Sequence, residues 1–402
     1  MDRRHFGQSI LARLAAASVP LVVAKAAPGP RRRAPDADYR AIPDLPVRRN
    51  GGIRLGADYH AKPGATLTDA TSLAYFQRCG ASYITAFPPQ AFSAKELSAF
   101  PQFGVLLDAD GPWNGDTLKS MQEDCHKAGM TLEGIRMDSV YIIMKPGPDR
   151  DRYLDIIRDN IRKAAAAGVS LISYHWTMIP IQRNREVEGR GGTVSRGFRL
   201  EPNYKELPPT AAAGVVSLDE YWSRIEYFLH GVVPVAREMK VKLACHPYDP
   251  GGLPLGYRGV DNWDAGDYAA ALKKYELLYD DIYNGFTYDT GVAGESLDDP
   301  NSQLPILRYL SERGKIAQVH FRNIRGHRND FVEVYHDEGD INLLNCLRVL
   351  RDTGWVGTLL PDHAPVQKDD PHQLQSFAFE CGYIKGLLKA VDDEADRVAS
   401  HS

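Results

Sequence analysis

From residue 52 onward, short apolar runs rich in β-branched and aromatic residues alternate with longer segments whose apolar positions recur every three or four residues. The short runs cover 53–59, 82–87, 131–137, 171–176, 241–246, 285–289, 316–321 and 358–361. Each is too short for a stable helix and is bounded by polar or turn-forming residues, so each predicts a buried strand. The longer segments, among them 151–167, 218–239, 268–278, 302–312 and 341–353, carry the helical period. Several stop at a glycine (Gly168, Gly314, Gly354), the residue that most easily takes the left-handed conformation closing a helix. Strand and helix in strict alternation predict a parallel sheet. Eight such units between residues 51 and 392 predict a closed (β/α)8 barrel, the TIM-barrel architecture, as one domain of the α/β class. No Gly-x-Gly-x-x-Gly follows the first strand, which argues against an open dinucleotide-binding sheet.

Two regions break the rhythm. Residues 182–213, after the fourth strand, form a long polar insertion rich in Arg, Gly and Pro. A loop there lies on the catalytic face of a barrel, so it is expected to be a lid or a substrate-contact loop. At the other extreme, Arg3-Arg4 precede a modest Ala/Leu/Val stretch and an Ala24-Lys25-Ala26 cleavage-like sequence. That order reads as a twin-arginine export signal over residues 1–27, implying a periplasmic or otherwise exported protein. The Pro- and Arg-rich residues 28–50 then read as a linker and 393–402 as a tail.

Composition narrows the classes. Of 402 residues, 43% are hydrophobic and 25% charged, and the net charge of -4 leaves no basic footprint for nucleic acid. No apolar run reaches the roughly 18–20 residues of a membrane span. Five cysteines stand without paired spacing and are expected to be free, mostly buried thiols. A small-molecule partner is expected, with homo-oligomerisation left open.

Barrel enzymes place their chemistry at the C-terminal ends of the strands. Strands five to eight end in Cys245-His246-Pro247, Tyr288-Asp289-Thr290, His320-Phe321-Arg322-Asn323 and Asp362-His363. One His or Asp per strand, all at one level, predicts a divalent-metal site of His246, Asp289, His320 and Asp362. Two imidazoles and two hard carboxylates suit Mn2+, with Mg2+ or Fe2+ as alternatives. Cys245 should face away from the site, because strand neighbours point to opposite sides. His175, Arg258, Arg322, Asn323, Glu333 and His336 cluster near the same strand ends and are candidate substrate-binding residues. An arginine there suits a carboxylate, which its fork binds in bidentate fashion.

These segments resemble the mannonate dehydratase family of xylose isomerase-like barrels. His246-Pro247-Tyr248-Asp249-Pro250 is similar to that family's His-Pro-Asp-Asp-Pro segment, and Gly256-Tyr257-Arg258 to an Arg-bearing loop after it. His320-Phe321-Arg322-Asn323 is similar to its His-x-Arg-Asn, Phe331 to Asp340 to a Phe-x-Glu…His…Gly-Asp stretch, and Pro361-Asp362-His363 to a Pro-Asp-His-Gly in which Ala364 replaces the glycine. The resemblance runs from about residue 52 to 390 and is strongest in the last 160 or so. It implies the same four metal ligands, except that Asp289 stands where the family has Cys, and Tyr248 replaces the first Asp of its segment. It also implies that His363, beside the last ligand, and Tyr383 in the final helix are the acid/base pair. The implied reaction is loss of water from an aldonic acid such as D-mannonate, giving a 2-keto-3-deoxy acid. A sugar isomerase or epimerase on the same barrel, or a non-catalytic exported sugar-binding protein, are the alternatives.

Overall fold

The computed structural model describes residues 45–88, 111–137, 141–210 and 213–401. Eight parallel strands close a barrel: β1 (Ile53–Ala57), β2 (Tyr83–Ala86), β3 (Thr131–Met137), β4 (Leu171–His175), β7 (Lys242–His246), β8 (Asn284–Asp289), β9 (Ile316–His320) and β12 (Gly357–Leu360), with β1 hydrogen-bonded to both β2 and β12. These are the eight runs expected from the sequence, with ends that differ by no more than two residues. The export signal and most of the expected linker lie outside the described residues.

The interior of this barrel is polar directly beneath its mouth. Ser173 on β4 hydrogen-bonds Thr287 on β8 at 3.0 Å, Gln318 on β9 donates to Thr287 at 3.1 Å, and Thr85 on β2 donates to Gln318 at 3.0 Å. All four are buried. Since side chains alternate along a strand, the residues two positions further on share the same inward direction. Those residues are His175, Asp289 and His320. A hydrogen-bonded chain of small polar groups therefore forms the floor, and the titratable layer stands on it.

Helices outside the barrel hold the strands in register. The longest described helix before the last one, α4 (Leu218–Met239), starts where the Ser217 hydroxyl accepts from the Glu220 amide. It buries Tyr221, Trp222, Ile225, Phe228, Leu229, Val232, Val233 and Ala236, one face at helical spacing. The helix α8 (Leu343–Asp352) is tied to the final helix α9 (Leu374–His401) by buried Arg351, which pairs with Asp352 at 2.6 Å and with Glu394 at 3.1 Å.

The insertion at 182–213 is not the irregular loop its composition suggested. It contains β5 (Arg185–Glu188) and β6 (Val194–Arg199), which join β11 (Asp330–Val334) and β10 (Asn323–His327) in a second, antiparallel sheet ordered β10-β11-β6-β5. Phe198 and Phe331, directly paired across β6 and β11, are both fully buried beneath it. Two excursions far apart in sequence thus form one structured cover over the barrel mouth. Apolar alternation in β6 is too short to announce itself; the pairing with β11 supplies the missing stabilisation.

The loop between β7 and α5 (Tyr268–Leu278) carries a fully buried carboxyl, Asp264, whose Oδ1 accepts from Asn262 at 2.6 Å. Burial pushes its pKa up from 3.8 to about 7. The folded chain therefore holds this proton more tightly than the unfolded chain, and the stability it contributes is lost as pH rises from about 4 to about 7, at about 1.4 kcal/mol per unit. Asp264→Asn keeps the acceptor and has no charge to bury. Its melting temperature relative to the unmodified protein should rise by several degrees between pH 4 and 7 and stay level above, as followed by scanning calorimetry; a constant difference would show that Asp264 ionises normally.

Candidate metal centre

The four predicted ligands meet at the mouth of the barrel. His246 Nε2 lies 3.3 Å from Asp289 Oδ2, and His320 Nδ1 lies 3.4 Å from Asp362 Oδ1. The donor atoms of His246, Asp289 and His320 all fall within 4.8 Å of one another, and Asp362 adjoins them through His320. Register accounts for the convergence: Asp289 is paired with His320 across β8 and β9, and Leu360, two residues before Asp362, is paired with His320 across β12 and β9. All four are buried. Their second atoms are already committed in ways that aim the first. His246 Nδ1 is held by the Pro247 carbonyl at 2.7 Å, and Asp289 Oδ1 caps the short helix α6 (Thr290–Glu295) by accepting from the Val292 amide at 2.9 Å.

This donor set fits a divalent cation. Burial lowers the His320 pKa to about 4, so the ring is neutral and has a lone pair to offer. His320 Nδ1 and Asp58 Oδ2 are buried and make no hydrogen bond, which leaves donor capacity turned into the site. As expected, Cys245 points the other way, into the layer of Tyr174 and Tyr275, where burial pushes its thiol well up.

Arg322 does different work from that expected of it. Its guanidinium is completely buried, with Nε 3.0 Å from Asp289 and 2.9 Å from Asp362, Nη1 2.7 Å from Glu295 and Nη2 3.5 Å from Asp249. Four carboxylates surround it, so it braces the predicted ligands Asp289 and Asp362 from a fully buried position. It fits because Gly291 has no side chain: a Cβ there would sit 2.5 Å from the guanidinium carbon.

Two further candidates are also buried in the framework. Asn323 donates to the carbonyls of His336 and Ile341 and accepts from the amides of Ile324 and Ile341. His336 puts Nε2 2.5 Å from the Phe321 carbonyl and Nδ1 3.4 Å from Glu380. Both are buried, and their hydrogen bonds hold the segment after β9, while His336 Nδ1 makes none.

Glu333 and His363 form a pair. Glu333 Oε1 lies 2.5 Å from His363 Nδ1, leaving the His363 Nε2 edge toward Asp362, 4.0 Å away. Arg183, on the insertion, bridges Glu333 at 2.8 Å and Asp249 at 2.7 Å. Burial would raise the Glu333 pKa, but Arg183 and His363 hold it well below the usual carboxylate range. His363 is one-fifth exposed, the accessible edge of an otherwise sealed cluster. His175 stacks on His246 with ring centroids 4.3 Å apart, and burial keeps it neutral. Tyr383, on α9, has its ring 5.7 Å from that of His336, and Arg258 lies beside Tyr257.

Sequence reasoning missed three residues. Asp58 and His60 follow β1, and Arg183 lies in the insertion. The strand-end rule applied to strand one would have found Asp58-Tyr59-His60; nothing in composition marks Arg183 among the many arginines nearby. His60 Nδ1 is 2.7 Å from Asp58 and its Nε2 is 2.8 Å from Asp362.

Replacing Arg322 by Met leaves four buried carboxylates without their shared cation, a loss on the order of 3–5 kcal/mol. The metal-free variant should melt well below the unmodified protein, and Mn2+ should recover part of the difference by supplying positive charge at Asp289 and Asp362. Thermal denaturation with and without Mn2+ measures both; equal melting temperatures would mean that Arg322 does not carry this charge balance.

Comparison with known proteins agrees with this geometry. Residues 210–397 match the family model described as D-mannonate dehydratase (UxuA). A mannonate dehydratase of Thermotoga petrophila is 27% identical over 336 residues, covering 72% of this chain and 90% of that protein. The crystal structure of mannonate dehydratase from Streptococcus suis superposes with a TM-score of 0.67 at 23% identity, covering 86% of this chain and 95% of that one. The apo structure of 3-keto-D-glucoside 4-epimerase from E. coli shares the fold at a TM-score of 0.52 and 12% identity, covering 83% and 99%. In its barrel and in the match over residues 210–397, the chain is similar to the mannonate dehydratases.

Proposed function

We propose that the protein is a metal-dependent hydro-lyase that removes water from an aldonic acid, D-mannonate, to give a 2-keto-3-deoxy acid. The observation that carries this reading is the convergence of His246, Asp289, His320 and Asp362 beside a proton-carrying histidine whose second nitrogen is anchored. Mn2+ is the ion best matched to two imidazoles and two carboxylates, with Mg2+ or Fe2+ as alternatives.

The reaction breaks a C–H bond α to a carboxylate and a C–O bond at the neighbouring carbon. The electron pair of the first forms the double bond of an enol, the 3-hydroxyl departs with a proton as water, and the enol becomes the 2-keto acid. A divalent cation bound at the four ligands would supply the charge that stabilises the developing enolate. The chain's own residues do the rest. His363 is fixed by Glu333, so one tautomer and one orientation present Nε2 to the substrate for proton transfer. Tyr383 on the final helix is the second proton-carrying group that the resemblance to mannonate dehydratases suggests. Arg322 is surrounded by four carboxylates, and Arg258 is the arginine that would bind the substrate carboxylate; Arg196 on β6, with a side chain 44% exposed and 3.9 Å from Glu333, is a second cation at the cover sheet. Asp289 in the position of a thiolate gives the centre a harder ligand set than the family pattern and favours oxygen-seeking ions. The twin-arginine pattern of residues 1–27 supports an exported enzyme, folded and loaded before transport.

Purified protein loaded with Mn2+ and given D-mannonate should form a 2-keto-3-deoxy acid, seen by NMR. His363→Asn should lower kcat by roughly 10²–10⁴-fold, the usual contribution of a positioned acid or base. No product from D-mannonate, together with solvent deuterium entering a neutral sugar, would replace the dehydratase reading by an isomerase or epimerase one.

A further inference from the structure

The ligand set read from strands five to eight leaves out the end of β1, where two titratable groups face the same mouth. Asp58 is fully buried and His60 nearly so. Asp58 Oδ1 accepts from the His60 backbone amide at 3.1 Å and lies 2.7 Å from His60 Nδ1. That contact fixes the ring and sends Nε2 toward Asp362 Oδ1 at 2.8 Å. The contact is an ion pair: burial alone would lower the His60 pKa, but Asp58 and Asp362 raise it to about 10, so an ion at this position takes the place of a proton on Nε2. His363 approaches the same oxygen from the other side: its Nδ1 is fixed by Glu333, and its Nε2 stands 4.0 Å from Asp362 Oδ1. The two rings are 5.1 Å apart.

Metal-binding histidines almost always have one ring nitrogen anchored on a carboxylate or carbonyl, which fixes the tautomer and leaves the other nitrogen's lone pair for the ion. His246 has this arrangement through the Pro247 carbonyl. His60 and His363 repeat it through Asp58 and Glu333, with the second nitrogen of each directed at one carboxylate oxygen. Donor atoms of His60, Asp362 and His363 lie within 4.8 Å of one another, a group distinct from His246, Asp289 and His320. Asp362 adjoins both, since its Oδ1 also lies 3.4 Å from His320 Nδ1. A carboxylate flanked by two such donor sets is the bridging element of two-metal sites.

We propose that the barrel mouth holds a second divalent cation on His60, Asp362 and His363, with Asp58 as the residue that positions His60 and with Asp362 shared between the two ions. Both free ligand atoms of the imidazoles are borderline donors, so Mn2+ or Zn2+ fits this position better than Ca2+. On the dehydratase reading given above, the second ion takes the His363 nitrogen needed for proton transfer, so filling it slows turnover: activity rises with metal as the first position fills and falls as the second does.

Metal-free protein dialysed against Mn2+ and analysed for metal should hold two ions per chain, and His60→Ala one. Asp289→Ala should also hold one, having lost the other position. Asp58→Asn removes the carboxylate that anchors the His60 ring and should weaken the second ion roughly 10–100-fold. Electron paramagnetic resonance adds a readout independent of counting: a magnetically coupled pair in the unmodified protein, and an isolated ion in His60→Ala. Circular dichroism confirms that each variant is folded, and Asp58→Asn carries the test if His60→Ala is not. One ion per chain in the unmodified protein overturns the proposal, as does a His60→Ala or Asp58→Asn protein that binds two ions as tightly as before. Counting needs no substrate. A protein that binds two ions but leaves D-mannonate untouched at every Mn2+ concentration, including those at which only the first position is filled, loses the dehydratase reading alone. One that dehydrates D-mannonate with a single bound ion at every Mn2+ concentration loses the second site alone.

Discussion

Burying Arg322 among Asp249, Asp289, Glu295 and Asp362 is the constraint around which the catalytic face is organised. Each charge removed from water costs several kcal/mol, and mutual attraction offsets that only when partners and geometry match closely. One guanidinium cannot neutralise four carboxylates, so the cluster requires further positive charge. Arg183 supplies some of it at Asp249 and Glu333, and burial answers the rest by pushing Glu295 well above the usual carboxylate range. A divalent cation beside Asp289 and Asp362 is the natural completion. The same excess of negative charge explains why Gly291 must be small and why the cover sheet brings in an arginine.

The barrel contributes precision. Ser173, Thr287, Gln318 and Thr85 hydrogen-bond across its interior, and the strands that bear them set His175, Asp289 and His320 one layer higher. A side chain on a strand end moves only with its strand, so a floor that locks four strands together also locks the titratable layer. The second sheet closes the mouth from above. Through Arg183 it orients Glu333, and through Glu333 it orients His363, so a proton-carrying group is positioned from the cover as much as from the barrel. Glu333 itself lies on β11, the strand of the second excursion that pairs with β6 of the first.

Legibility in the sequence followed periodicity. Buried strands and amphipathic helices leave a repeating signature, which is why the eight strands and the level of His246, Asp289, His320 and Asp362 were readable. Arg322, Asn323 and His336 were readable as residues near the site but not as to role. A buried arginine with four carboxylate partners and an exposed arginine awaiting a substrate have the same sequence. The partners of Arg322 come from positions 249 to 362, and only their meeting in space shows that it braces the predicted ligands. The small sheet was hidden for a related reason, since β5 and β6 are too short to be recognised without the strand they pair with.

Sequence by itself therefore determined the barrel, the level at which chemistry is placed, and the types of residue available there, because these depend on local alternation of apolar and polar positions. The family resemblance added the expected reaction and its acid/base pair. Tertiary structure alone decided which charges neutralise one another, which histidine nitrogens remain free, and that Asp58 and His60 from the first strand face Asp362 from the last. Barrel closure is the physical reason: it hydrogen-bonds β1 to β12 and so brings together residues some 300 positions apart, a proximity that no local pattern in the chain encodes.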